Sequence, residues 1–594
     1  MKNVTTRGDF AVNRRLVILI LLAIPIGAMS SVLGWLLLRL IGLVTNLFFF
    51  HTWSFETRSP ALTYGAWTIL VPVVGGLIIG LMARYGSERI RGHGIPEALE
   101  AILFGKSIMK PKVAILKPLS SAISIGSGGP FGAEGPIIMT GGAFGSILGQ
   151  IFSLTSAERK TLLVAGASAG MTVIFGTPMA AVLLAVELLL FEWRPRSLIP
   201  VATACLVASA LRPWVMDDPL PLFPLPPLTM LTTSELAAAV PVGIAAGLVS
   251  WMLSTVLYRL EDAFHSLPFH WSWWPALGGL VVGIGGYFEP RVLGVGYEVI
   301  ESFLRGEGTP ATAATFLGIK ALVWAVALAS GTSGGVLAPL LMMGAGMGVV
   351  CAPLLPGPAS LWPLVGMTGI MGGMMRSPLT AVVFALELTE SIHALPILLV
   401  ASFSAYGFTV LVMKRSILTE KVARRGFDLF REYTVDPLEQ LRAKDVMTRD
   451  PETVSALSSL KQLSAMFRES HRKHRGYPIV DDTGQLCGIV TASDLLNIQP
   501  EDWEDKATDL APKRSLIVAF PDESCKTVAE RMSVEGVGRV MVVDTKDAGK
   551  LLGIITRSDL LKARHRHITE EQSRESVFKR KAKEALRRKH EKKT

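Results

Sequence analysis

Long uncharged apolar runs recur along the first two thirds of the chain. They cover Leu16 to Leu38, Ala61 to Met82, Thr161 to Val186, Leu236 to Leu257, and Ala321 to Met375. Several reach the roughly 20 residues that an α-helix needs to cross a bilayer. Beyond Lys414 the pattern changes to short alternating strands and amphipathic helices of mixed charge. The periodicity therefore predicts a polytopic α-helical membrane domain followed by a soluble α/β region. Leu16–Leu38 follows Arg14-Arg15 and is too long for the apolar core of a signal peptide, so it is read as a retained first helix.

The membrane region contains an internal repeat. "GASAGMTVIFGTPMAAVLLAVELL" (166–189) aligns with "GMTGIMGGMMRSPLTAVVFALELT" (366–389) at an offset of 200, and "GAEGP" (132–136) with "GVLAP" (335–339) at 203. Glu187 and Glu387 fall at equivalent positions. Two motif pairs at nearly constant spacing indicate a duplicated domain. Paired Gly/Pro breaks inside apolar sequence mark interrupted helices, which survive in hydrocarbon only where protein, water or a ligand satisfies the freed backbone. Helices restarting at Pro136 and Pro339 would aim free N–H groups, and the positive ends of their dipoles, at an anion. Glu134 is the only charged residue between Lys117 and Glu158. It reads either as a functional intramembrane acid or as a carboxylate satisfying the first amides of its own helix.

The chain has 594 residues, 50% apolar and 18% charged, with a net charge of +10. The basic residues concentrate at Lys2 to Arg15 and in Lys579 to Thr594, which holds nine Lys/Arg and two Glu. Basic ends suit a cytoplasmic position, and the tail reads as a solvated or disordered segment rather than a nucleic-acid binder. Cys205, Cys351, Cys487 and Cys525 form no CxxC pair, so neither a disulfide framework nor a zinc site is expected.

Together, "GHGIPEAL" (92–99), "GAEGP", "GGVLAPLL" (334–341) and the two Pro…Glu helices resemble the CLC family of chloride channels and proton-coupled chloride exchangers. The resemblance implies a homodimer of subunits with one pore each, two inverted-topology repeats, both termini cytoplasmic, and a place in the plasma membrane. It makes Glu134 the gating and proton-carrying residue, able to occupy an anion seat and leave it on protonation. It places the anion at His93, Gly94, Ile95, Gly132, Gly135, Val336 and Leu337, with Gly335 and Pro339 in the second loop. Three positions depart from the family pattern. His93 stands where Ser or Pro is usual, and either donates to the anion or points elsewhere. Leu418 replaces an inner tyrosine in a loose alignment. Leu188 replaces the inner proton glutamate.

The soluble region repeats "DVMT…GIVTASDLL" as a weaker copy ending "GIITRSDLL" (residues 445–496 and 518–561). Strands are expected at "YPIVDD", "LCGIVT", "RVMVVD" and "LLGIIT", with turns at Asp481–Gly484 and Asp547–Gly549. These copies resemble tandem CBS domains. The resemblance places an adenine nucleotide at Thr491, Asp494, Thr556 and Asp559; the alternative is that each Ser-Asp pair caps a helix.

The expected organisation is a cytoplasmic N-terminus (1–15), a membrane domain (16–415), a linker (416–443), CBS domains at 444–499 and 500–565, and a basic tail (566–594). The expected activity is anion transport in the bilayer, read as a voltage- or pH-gated chloride channel. A proton-coupled chloride antiporter is the alternative. A CBS-bearing cation transporter and a membrane enzyme rank below both: the histidines are scattered without HExxH, and intramembrane acids are too few for a cation site. No enzymatic activity, required cofactor, metal or nucleic-acid partner is expected.

Overall fold

The computed structural model describes residues 15–63, 65–216, 220–225, 231–427, 437–469, 476–495, 503–510, 516–545, 547 and 549–572. Residues 1–14, and the Lys579–Thr594 tail with its basic charge, lie outside the described residues. The described chain divides into two compact units between residues 428 and 429.

The first unit is all-helical. Its helices are α1 (Arg15–Thr45), α2 (Leu70–Leu81), α3 (Ile95–Leu103), α4 (Pro111–Gly126), α5 (Glu134–Ile151), α6 (Ser156–Phe175), α7 (Pro178–Leu184) and α8 (Pro195–Val215). There follow α9 (Thr233–His265), α10 (Trp274–Phe288), α11 (Tyr297–Leu304), α12 (Pro310–Ala329), α13 (Leu337–Cys351), α14 (Leu361–Met375), α15 (Pro378–Thr389), α16 (Leu395–Val412) and α17 (Ile417–Arg424). Seven helical stretches among the described residues are long and apolar enough to span a bilayer.

The expected apolar runs do not map one to one onto helices. Ala321–Met375 splits into the end of α12, α13 and α14; Thr161–Val186 splits at Gly176–Thr177, before Pro178 opens α7. Proline fixes φ and lacks an N–H, so Pro178 starts α7 at no hydrogen-bonding cost. Small residues then let the segments pack backbone to backbone. A Cβ on Gly141 would lie 2.2 Å from the Gly166 carbonyl, and one on Gly166 would lie 2.1 Å from that of Gly141. The repeat-related pair Gly344 and Gly366 make the same mutual approach at 2.7 and 2.3 Å.

The stretch expected as a linker from residue 416 opens instead with a helix. The Ser416 hydroxyl accepts from the Thr419 N–H at 3.3 Å, starting α17. Ile417, Leu418 and Val422 are buried, and their amphipathic spacing holds α17 in the first unit.

The second unit is α/β. It comprises α18 (Pro437–Gln440), α19 (Ala443–Val446), β1 (Thr448–Arg449), β2 (Val454–Ser455), α20 (Leu460–Glu469), β3 (Gly476–Val480), β4 (Leu486–Thr491) and α21 (Ala492–Leu495). The second half has α22 (Ala507–Leu510), β5 (Val518–Ala519), α23 (Cys525–Val534), β6 (Arg539–Val543), β7 (Leu551–Thr556) and α24 (Arg557–Gln572). The four long strands lie where the alternation predicts. Asp481 Oδ1 accepts from Thr483 and Gln485 N–H groups at 2.9 and 2.8 Å, and Asp547 Oδ1 from Gly549 N–H at 3.1 Å, closing the two hairpins.

The sheets interleave the copies. One has order β2-β3-β4, the other β1-β7-β6-β5, so β1 from the start of the first copy pairs into the second copy's sheet. Leu438 and Ala443 are buried with Cys525, Val528 and Val540 of the second copy. In return Ala507 is buried with Val454, Ile479 and Val490 of the first.

Candidate functional site

The site forms where α5 and α13 begin. Gly132 and Gly335 face each other in a two-residue antiparallel bridge, each N–H donating to the other's carbonyl at 3.3 and 2.9 Å. From this bridge the chain turns into α5 at Glu134 and into α13 at Leu337. The Glu134 carboxylate crosses to the second repeat. Its Oε1 accepts from the Leu337 N–H at 2.5 Å and the Ala338 N–H at 3.1 Å. These are the first amides of α13, which have no partner within their helix, so charge and dipole both favour the contact. Glu134 thus satisfies the other repeat's helix, not its own. It is fully buried, and its Oε2 has no hydrogen-bond partner among the described residues.

Glycine makes this geometry possible. A Cβ on Gly132 would lie 1.9 Å from Glu134 Oε2, and one on Gly335 would lie 2.5 Å from its Cδ. A Cβ on Gly135 would meet the His93 carbonyl at 2.0 Å. The inner loop is therefore pressed against the start of α5.

That loop brings His93, Gly94 and Ile95 to the same place. His93 is buried, and its Nδ1 has no partner among the described residues. Gly94, at φ +90°, donates its N–H to Glu97 Oε2 at 2.9 Å, so this amide is engaged by the helix's own acid. The Gly132 N–H is likewise taken by Gly335, and the Leu337 N–H by Glu134. Val336 precedes α13 and is buried.

Three groups that the sequence reading did not single out fix this frame. Lys117 on α4 is fully buried and donates from Nζ to the carbonyls of Ile90 and Gly92 at 2.8 and 2.7 Å. A lysine about a turn and a half inside a largely apolar helix was the available signal. Ser120 and Ser121 on α4 reach Ser333 Oγ at 3.1 and 2.8 Å, tying the two loops to one helix. Serines in membrane helices are too common to stand out.

Glu187 and Glu387 lie elsewhere. Glu187 accepts from the Leu379 and Thr380 N–H groups at 3.3 and 2.8 Å, at the start of α15. Glu387 accepts from Met179 and Ala180 N–H groups at 2.9 and 2.8 Å, at the start of α7. Leu188 is fully buried beside Glu187, in the π-helical turn Ala185–Leu190 that continues α7. Leu418 is fully buried on α17.

The family described as voltage gated chloride channel matches residues 75–410. The chain belongs to this family, the CLC family. CBS domains match residues 443–501 and 507–566. Among curated relatives, the voltage-gated ClC-type chloride channel ClcB of Escherichia coli is 27% identical over 368 residues, 60% of this chain and 87% of its own. Among solved structures, a slow cyanobacterial Cl-/H+ antiporter aligns at TM-score 0.62 and 21% identity, over 70% of this chain and 99% of its own. A eukaryotic CLC transporter aligns at TM-score 0.60 and 17% identity, over 92% of this chain and 98% of its own. This CLC protein is therefore an integral membrane protein of an anion-transporting family, with a CBS module after its membrane unit.

In the CBS module, the candidate nucleotide residues form the same arrangement twice. Asp494 Oδ2 accepts from Thr491 N–H and Oγ1–H at 2.9 and 2.6 Å, and Asp559 Oδ2 from Thr556 N–H and Oγ1–H at 2.9 and 2.6 Å. The threonine precedes each helix and the aspartate is its third residue, so the cap is Thr-x-x-Asp rather than the Ser-Asp pair. Among the described residues, no group of three or more His, Cys, Asp or Glu could hold a metal ion.

Proposed function

We propose that this protein carries chloride or a similar small anion across the membrane, with Glu134 as a removable plug. One observation carries the reading: the Glu134 carboxylate rests on the first amides of α13. A carboxylate is itself an anion, so it competes with a transported ion for the same N–H donors. Oε2, without a donor of its own, is the atom to receive a proton. Protonation removes the charge that holds the side chain on the amides, and the seat is freed for the ion. Among the described residues no cation pairs with Glu134 at this seat, which keeps binding weak enough for release. The inner loop supplies the second approach, with His93 Nδ1 as its free polar atom.

Passive, gated conduction is the first reading of mode. Leu188 carries no proton, and the neighbouring Glu187 carboxylate is engaged by the start of α15. Proton-coupled exchange is the second, favoured by the fold shared with a solved Cl-/H+ antiporter. Liposomes holding the purified protein under a chloride gradient separate the two. Uphill, stoichiometric proton movement selects exchange; chloride flux without it selects conduction. Glu134→Gln is expected to pass chloride with no pH dependence. Flux of this variant that titrates like the wild type would remove Glu134 from the gate.

Further readings extend the same proposal. Two chains form a homodimer, in the plasma membrane, with both termini in the cytoplasm. The CBS module takes an adenine nucleotide, with Asp494 and Asp559 toward the ribose. Thermal unfolding of the full chain with ATP, ADP and AMP tests this: stabilisation lost in Asp494→Ala or Asp559→Ala supports it, and no response to any of the three refutes it.

A further inference from the structure

Beside the inner loop lies a cavity of about 710 Å³, on the face where α17 ends. Its lining is rich in charge, and most of that charge is internally matched. Arg425 pairs with Glu97 and Glu100 at 2.5 and 2.9 Å, and Arg89 approaches Glu100 at 3.8 Å. Lys421 pairs with Glu261, and Arg424 with Asp262. Glu88 lines the cavity without an ion pair among the described residues.

Arg91 is different. Its guanidinium makes no hydrogen bond or ion pair to any described residue, and its Nε is buried without a partner. Its close contacts are aromatic, with the charges of Glu88 and Glu261 acting on it at longer range: the guanidinium carbon lies 4.4 Å from the Trp271 ring centroid and 5.6 Å from that of Trp274. The fold makes room for it. Gly331, at φ +82°, would with a Cβ lie 2.7 Å from Arg91 Nη2 and 2.8 Å from Nε. An arginine fixed on indole rings keeps its planar fork of N–H donors preorganised and unspent.

We propose that Arg91 anchors a second anion site, in this cavity, that binds small oxyanions such as carboxylate or phosphate. The fork offers parallel N–H donors that match two oxygens of one anion, a geometry a spherical halide cannot use. The site stands one residue from Gly92 and two from His93, so its occupant sits at the threshold of the inner loop. It is separate from the Glu134 seat, which is made of backbone amides and no arginine.

The test uses the purified full chain in detergent, titrated with inorganic phosphate and with acetate at constant ionic strength. Intrinsic fluorescence, to which Trp271 and Trp274 contribute among the chain's twelve tryptophans, is one readout, and thermal unfolding reports independently. A saturable response is expected for both anions, with chloride giving a far weaker one. Arg91→Gln weakens the affinity at least about tenfold, because charge-assisted hydrogen bonds are lost. Arg91→Lys, which keeps the charge and the fold but not the fork, falls between. Glu134→Gln leaves the response unchanged, so failure of the gating proposal does not mimic failure here. Three results overturn the site: an undiminished response in Arg91→Gln, an equal response to chloride, or loss of the response in Glu134→Gln.

Discussion

At the residue scale, the defining contact is a carboxylate seated on another helix's amides. Its cost is the burial of a charged group, against which the backbone N–H donors act. Gly335, on the partner repeat, is one position sensitive to this balance. A methyl there would overlap Glu134 Cδ, so Gly335→Ala is expected to expel the carboxylate and give chloride flux that no longer falls as pH rises. The liposome flux assay over pH 5–8 checks it; pH-dependent flux like the wild type's would show that the side chain tolerates the methyl. Gly135→Ala meets a carbonyl rather than a flexible side chain, at 2.0 Å. Overpacking of this kind costs about 1–3 kcal/mol, visible as a lower unfolding temperature in detergent.

At the element scale, interrupted helices are held by caps that cross the repeat boundary. Glu187 closes α15 and Glu387 closes α7, with the Thr380 and Ala180 N–H groups as equivalent donors. The two caps are related by the same offset of 200, but Glu187 Oε2 also accepts from the Thr380 hydroxyl at 2.7 Å where Ala180 offers none, so Glu187→Gln and Glu387→Gln are both expected to destabilise, by about 1 kcal/mol, the first somewhat more. Thermal unfolding of both variants decides this; a change confined to one would break the equivalence. The soluble elements make a different prediction. Cys525 is buried among apolar residues that push its thiol up to about 12, whereas Cys487 is exposed. At pH 8, a thiol reagent should modify Cys487 in the native protein and Cys525 only after unfolding. Rapid native labelling of Cys525, read by mass spectrometry, would contradict the packing of α23.

At the scale of the whole molecule, pairing of equivalent residues reveals a pseudo-two-fold relation. Gly132 bridges its own counterpart Gly335, and the Glu187 and Glu387 caps are reciprocal, as an isologous contact requires. The CBS unit follows a related logic with swapped ends. Residues 437–449 complete the second copy, so a soluble fragment beginning at residue 450 should lose Leu438, Ala443 and β1 from that core. A fragment of residues 429–572 is expected to unfold cooperatively and the shorter one to aggregate or melt earlier. Equal melting of the two by circular dichroism would refute the swap as a stabilising feature.

Apolar runs, Gly/Pro breaks and two internal repeats were enough to determine a duplicated membrane domain and a repeated soluble α/β module, and to mark Glu134 as the residue to watch; the CBS reading rested on the resemblance of the two soluble copies to that family. Those features are local, set by hydropathy and backbone chemistry within one stretch of chain. Only the tertiary structure decided where Glu134 reaches, that α17 joins the membrane unit, that β1 crosses to the other sheet, and that Arg91 rests on Trp271 with its donors unspent. Each of these depends on a partner distant in sequence. Hydrogen bonds and aromatic contacts act over a few ångströms, and those distances exist only once the chain has folded.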